Sequence, residues 1–267
     1  MSLDAAAKAA GWEETGLTNR RLLGLGAARM AELAEAAESL PGTPLAQLRL
    51  GPPVPDPEKI ICIGLNYHDH AREVGAAPPP SPIFFAKFAN SLVGPEDDIV
   101  PPREEQHVDY EAELAVVIGK RGRYIRQEEA LGHVAGAMAF NDVSARDFQL
   151  ANQLWTSGKA VDTFGPCGPE LVTTDELGDL QALAVKTRVN GETLQDGSTA
   201  SMIFGIAVLI EYLSKVMTLE PGDIIATGTP AGVAKAHEPP RFLKPGDVVE
   251  VEISPIGTLK NTVREAG

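Results

Sequence analysis

The sequence predicts an α+β, mixed-β domain over residues 57–267, behind a small N-terminal domain or extension over residues 1–56. Three observations predict it. After residue 58, short apolar or alternating runs bounded by Gly, Pro and Asp dominate and read as strands. The first 50 residues differ in texture, and GPPVPDPE (Gly51–Glu58) then sets four prolines in eight residues as a stiff connector. The length of 267 residues, against about 150 per domain, admits one large domain with an extension.

Each element has its own warrant. Arg29–Leu40 (RMAELAEAAESL) is rich in helix formers and stops at Pro41-Gly42. Gly24–Gly26 lacks both the third glycine and the preceding strand of a dinucleotide fingerprint. KIICIGLNY reads as a buried strand turning at Gly64, and Ile83–Phe88 (IFFAKF) as a second one beyond a proline-marked loop. Val108–Ile118 alternates as one strand, and Glu128–Met138 reads as a helix. AFNDVSARDFQLANQLW then passes from a strand end into a helix, with Ser144 and Asp147 at capping-box spacing. Ala184–Val189, Asn190-Gly191 and the polar run beyond form a hairpin with a type I′ dipeptide. Ser201–Val216 fits a helix with a wide apolar face. Pro221-Gly222-Asp223 and Pro245-Gly246-Asp247 are turns, each feeding a strand.

Composition excludes several functions. With 23 Lys plus Arg against 37 Asp plus Glu, the net charge is −14, which disfavours a nucleic-acid partner. Two cysteines without CxxC spacing make neither a disulfide framework nor a thiolate zinc site. The N-terminus lacks the apolar core of a signal peptide, and runs such as Ile203–Ile210 fall short of the roughly 20 residues that span a bilayer. The expectation is a cytoplasmic chain with no membrane partner.

The sharpest chemical signal is DYEAELAVVI. Strand alternation puts Glu111 and Glu113 on one face, with Ala112, Leu114, Val116 and Ile118 on the other. Two such carboxylates converge on a cation or repel each other; a solvated strand face is the plainer alternative. Asp142 follows where the apolar run Ala135–Phe140 ends, at a point where a sheet opens into a cleft. Three carboxylates suit Mg²⁺ or Mn²⁺, and Ca²⁺ also fits; the scarcity of nearby Cys and His argues against zinc. Farther upstream, His70 and Glu73 stand at i and i+3 of a helical turn, where Glu orients His for general-base work. On residue type alone His68 serves as well. Lys159, beside a Gly/Pro-rich stretch, offers charge to a developing enolate. Thr227-Gly228-Thr229-Pro230 ends a strand in a turn whose N–H and hydroxyl groups suit an anion.

Together, ICIGLNYHDHAREVG, PIFFAKF, DYEAELAVVIGKRGR, FNDVSARDFQ, GKAVDTFGPCGP, VNGETLQDGSTASMIF, LEPGDIIATGTPAGV and FLKPGDVVEVEISPIGTL resemble the fumarylacetoacetate hydrolase family. The resemblance runs in the family's order from about residue 59 to 263, and is nearest to its acylpyruvase and 2-hydroxyhepta-2,4-diene-1,7-dioate isomerase branch. It implies a rolled, mixed β-structure and a homodimer. It also implies Mg²⁺ or Mn²⁺ on Glu111, Glu113 and Asp142, and catalytic roles for His70 (in preference to His68), Glu73 and Lys159. Arg146, Gln149 and Thr229 match the family's substrate-lining positions.

The expected activity is C–C hydrolysis of an acylpyruvate-type 2-oxo acid through a metal-stabilised enolate. The alternative is isomerase or decarboxylase chemistry on 2-oxo acids of aromatic breakdown or of the oxaloacetate type. A non-catalytic binder of metal and carboxylates is the remoter reading. Any such anion must enter an acidic protein, so the metal, Lys159 and Arg146 are the expected local positive field.

Overall fold

Strands organise the chain: β1 (Ile60–Gly64), β2 (Ile83–Lys87), β3 (Leu92–Val93), β4 (Val108–Asp109), β5 (Ala112–Ile118), β6 (Val134–Asn141) and β7 (Ser144–Ala145). There follow β8 (Gly165–Thr173), β9 (Ala184–Val189), β10 (Glu192–Ser198), β11 (Ile224–Ala226), β12 (Val248–Ser254) and β13 (Gly257–Thr262). The structure is a computed structural model describing residues 2–152 and 154–266. Gln153, within the stretch read as passing into a helix, lies outside the described residues.

A seven-stranded mixed sheet runs β2-β1-β11-β5-β6-β8-β3, and a four-stranded antiparallel sheet runs β10-β9-β12-β13. The smaller sheet packs over β5, β6 and β8. β5 is therefore buried on both sides. Leu114, Val116 and Ile118 enter the larger core, while Ala115 and Val117 enter a second core with Ile60, Cys62, Met138 and Cys167. A solvated face for this strand is thus excluded.

Helices α1 (Leu3–Ala9), α2 (Asn19–Leu23) and α3 (Ala27–Glu38) precede the sheets. Ser2 and Thr18 cap the first two through side-chain oxygens. Ala6, Ala7 and Leu33 form their own small core, and Leu23 with Met30 joins these helices to the second core of the sheet. Later come α4 (His68–Glu73), α5 (Arg146–Leu150), α6 (Thr156–Lys159), α7 (Thr174–Leu177) and α8 (Ile206–Val216). Among the described residues no helix is long and apolar enough to cross a membrane.

Local expectations fail where tertiary partners intervene. Glu128–Met138 is not a helix: a 3₁₀ turn covers Gln127–His133, and the chain is β6 from Val134. The small residues of β6 let its neighbours approach, since a Cβ on Gly136 would lie 2.3 Å from the Val172 carbonyl oxygen. Pairing with β5 and β8 then overrides helix propensity. Val108–Ile118 is not one strand, because the chain leaves its pairing with β7 at Tyr110 and joins β6 from Ala112. The predicted helix from Ser201 starts only at Ile206, because Asn66 takes the amides of Ile203 (2.7 Å) and Phe204 (2.9 Å). The capping box at Ser144 is not formed either: its hydroxyl donates to the Asp142 carbonyl at 2.9 Å. The β9–β10 hairpin does follow the sequence, with φ of 52° at Asn190 and 82° at Gly191, both positive as a type I′ turn requires.

Candidate active site

Antiparallel pairing of β5 with β6 sets Ala112 opposite Asn141, so the start of one strand meets the end of the other. Glu111 N–H donates to Asn141 Oδ1 (3.1 Å), and Asp142 N–H donates to the Glu111 carbonyl (2.9 Å). This closure brings carboxylate oxygens of Glu111, Glu113 and Asp142 within 4.8 Å of one another, all three buried.

Cations surround them. Lys159 Nζ donates at 2.7 Å to both Glu111 Oε2 and Asp142 Oδ2. Lys87 Nζ donates to Asp142 Oδ1 at 2.7 Å and to the Val143 carbonyl at 3.1 Å. Arg146 Nη2 reaches Glu111 Oε1 at 2.6 Å, Nε and Nη2 grip Asp109 Oδ2 at 2.9 and 2.7 Å, and Nη1 donates to Gln149 Oε1 at 2.7 Å. Burial alone would raise the Glu111 carboxyl, yet Lys159 and Arg146 together hold it down at about 2. Glu113 goes the other way: burial, then the charges of Asp142 and Glu111, push it well above the usual carboxylate range. For Lys159, burial opposes the ammonium, but Asp142 and Glu111 outweigh it and raise the group.

The donors of the Thr227–Pro230 turn are taken up within the protein, one by a carboxylate and two by backbone carbonyls. Gly228 N–H donates to Glu113 Oε2 at 2.9 Å from a backbone with φ of +97°, where a Cβ would lie 2.8 Å from Asn66 Cβ. Thr227 and Thr229 donate their hydroxyls to the carbonyls of Leu114 (2.8 Å) and Ala112 (2.9 Å), fixing β5 from the side. Gln195 Nε2 in turn donates to Thr229 Oγ1 at 2.8 Å.

Helix α4 sets His70 beside Glu73. His70 Nδ1 lies 2.9 Å from Glu73 Oε2, and Glu73 Oε1 accepts the Gly232 N–H at 2.7 Å. Against a carboxylate acceptor Nδ1 is the donor, and in the neutral imidazole this tautomer leaves Nε2 as the accepting nitrogen. His68 is exposed and does not border the cavity.

Eight of the nine residues singled out from the sequence border one cavity of about 470 Å³, and the ninth, Asp142, lies behind Glu111 and Lys159. Val74, Phe85, Leu150 and Trp155 give it an apolar side. Trp155 lies over Gly64, where a Cβ would come within 2.4 Å of its ring. Sequence reasoning missed Lys87 and Asp109. Asp109 shares the strand parity of Glu111 and Glu113, and Lys87 is a lone cation inside an apolar strand; both were signals. A second acidic group, Glu105, His107 and Asp147, lies close by, but Glu105 is occupied by the His107, Asp147 and Phe148 amides.

The donor set fits a hard divalent cation. All three candidate ligands offer carboxylate oxygens within 4.8 Å of one another, and the negative field that Lys159 and the Gly228 N–H leave at Glu113 is what such an ion would neutralise.

The family model described as fumarylacetoacetate (FAA) hydrolase C-terminal matches residues 59–264. A Bos taurus protein named oxaloacetate tautomerase FAHD2A, mitochondrial, is 48% identical over 229 residues, 85% of this chain and 73% of that protein. A solved Mycobacterium smegmatis structure covers 100% of this chain and 96% of its own, at TM-score 0.87 and 37% identity. The 2-hydroxyhepta-2,4-diene-1,7-dioate isomerase from Mycobacterium marinum is 38% identical, at TM-score 0.76, over 86% of this chain and 82% of its own. The cytoplasmic expectation gains nothing from a relative named mitochondrial. With the motifs, the fold and these likenesses in agreement, the chain belongs to the fumarylacetoacetate hydrolase family.

Proposed function

We propose that this chain tautomerises or isomerises a small 2-oxo acid of the oxaloacetate class, with residues 57–267 as the catalytic unit and residues 1–56 as an appendage. Glu111, Glu113 and Asp142 would hold Mg²⁺ or Mn²⁺, a Lewis acid that polarises a 2-oxo carbonyl. The observation that carries the reading is the His70–Glu73 hydrogen bond bordering the same cavity as the carboxylate cluster. His70 Nε2 takes a proton from the carbon next to the 2-oxo group, that C–H electron pair becomes the C=C bond of the enol, and the C=O π pair moves onto the 2-oxo oxygen. Returning the proton at a different atom completes the tautomerisation. Glu73 keeps the ring in the tautomer that can accept, and Lys159 sets positive charge beside the oxygen that gains electron density. The names of the relatives, a tautomerase and an isomerase, favour this chemistry over bond cleavage.

Hydrolysis of an acylpyruvate is the second reading, because Val74, Leu150 and Trp155 offer an apolar side on which an acyl arm would rest. The test is keto–enol exchange of oxaloacetate, followed by the ultraviolet absorbance of the enol with Mg²⁺ or Mn²⁺ present. Acceleration abolished by EDTA, and reduced roughly 10²–10⁴-fold in His70→Gln, supports the proposal. No acceleration, with acetylpyruvate cleaved instead, replaces it by the second reading.

A further inference from the structure

The cations of the site are almost all committed to the protein's own acids. Lys159 holds Glu111 and Asp142, Lys87 holds Asp142, and Arg146 holds Asp109 and Glu111. Lys235 differs. It borders the cavity from the short 3₁₀ turn Ala234–Ala236, it is exposed, and its ammonium has no ion-pair partner among the described residues. Its root is nevertheless fixed. Asp109 accepts the Ala234 N–H at 2.6 Å and the Lys235 N–H at 3.2 Å, while gripping Arg146 with the same carboxylate. Three residues upstream, the Gly232 N–H is held by Glu73. An uncommitted ammonium thus projects from a backbone that the site itself positions.

Within a chain of net charge −14, a cation left unpaired at a cavity wall supplies field for an incoming anion. Through the cation it would hold, the carboxylate cluster would engage one end of a 2-oxo acid, and a monocarboxylate would leave Lys235 nothing to bind. We propose that Lys235 binds a second, distal carboxylate and makes the site select 2-oxo dicarboxylates over monocarboxylates. This deepens, and rests on, the 2-oxo acid reading above.

The experiment uses two probes of equal chain length, 2-oxopentanedioate and 2-oxopentanoate, which differ by a terminal carboxylate against a methyl group. Each is titrated by calorimetry into the full chain with Mg²⁺. The wild type should bind the dicarboxylate more tightly. Lys235→Ala should lose roughly tenfold of that preference, the scale of one charge-assisted hydrogen bond, and Lys235→Glu should lose more. Lys235→Arg should keep most of it, which separates charge recognition from damage to the turn. In oxaloacetate turnover, the rise in KM for Lys235→Ala should exceed any change in kcat. A preference unchanged in Lys235→Ala and Lys235→Glu, or absent in the wild type, overturns the proposal. The two readings fail separately: oxaloacetate tautomerised with unaltered discrimination sinks only the role of Lys235, whereas discrimination without tautomerisation sinks only the reaction.

Discussion

Lys87 and Asp142 form an ion pair with no solvent exposure on either side chain, Nζ to Oδ1 at 2.7 Å. Lys159 holds the other oxygen of the same carboxylate, so Asp142 is clamped from both sides. Removing one partner of a buried pair strands the other charge, at about 3–5 kcal/mol. Because Lys159 remains, Lys87→Met should fall at the lower end, about 3 kcal/mol, in urea denaturation. A loss below about 1 kcal/mol, the scale of exposed pairs, would show that the clamp contributes little.

Cation binding should stabilise the fold as well as activate it. At a hundredfold excess over Kd, a ligand specific for the native state adds about 2.7 kcal/mol. Melting in Mn²⁺ should therefore shift upward and return with EDTA. Glu113→Gln and Asp142→Asn should abolish the shift; an undiminished shift in both would move the ion elsewhere.

The acid–base pair should separate from cation binding. His70→Ala should cut turnover by roughly 10²–10⁴-fold while leaving Mn²⁺ affinity in place. Glu73→Gln should be milder, since an amide oxygen still accepts from Nδ1 but carries no charge to stabilise the imidazolium. Equal losses in turnover and Mn²⁺ affinity for His70→Ala would tie the pair to the ion and not to proton transfer.

The N-terminal helices carry a pH dependence. Asp4 accepts the amides of Leu17 (2.9 Å) and Gly16 (3.1 Å), and these bonds lower its carboxyl below the usual value. A lowered native-state value means this stabilisation is present above the unfolded pKa of about 3.9 and is lost as pH falls through the native one. Amide protection in α1, relative to the intrinsic exchange rate at each pH, should fall on acidification, and Asp4→Ala should lower it already at neutral pH. Indistinguishable exchange in the two chains at neutral pH would count against the tie.

Much of the fold and site is legible wherever a signal is local. Alternation in Val108–Ile118 and the strand end at Asp142 bring the three carboxylates forward as candidates, and the i, i+3 spacing does the same for His70 with Glu73; the family resemblance is what favours them over a solvated strand face and His68. What escapes is decided across long separations in sequence. Lys87 meets Asp142 55 residues away, and Asp109 meets Arg146 37 residues away, so no local window links them. The same holds for β6: its helix-like start becomes a strand only because β5 and β8 flank it. Capping at Ser144 fails for a related reason, its hydroxyl being diverted to the Asp142 backbone beside the cluster.

The loop from Gly232 to Lys235 has a consequence for how the molecule tolerates change. Glu73 holds it at Gly232 and Asp109 holds it at Ala234 and Lys235, so two side chains from distant parts of the chain measure its length. Point substitutions of its outward side chains leave those amides in register. Inserting or deleting a single residue cannot, because it would shift one anchor by about 3.3 Å relative to the other. The loop is thus a spacer of fixed gauge, permissive in composition and intolerant in length.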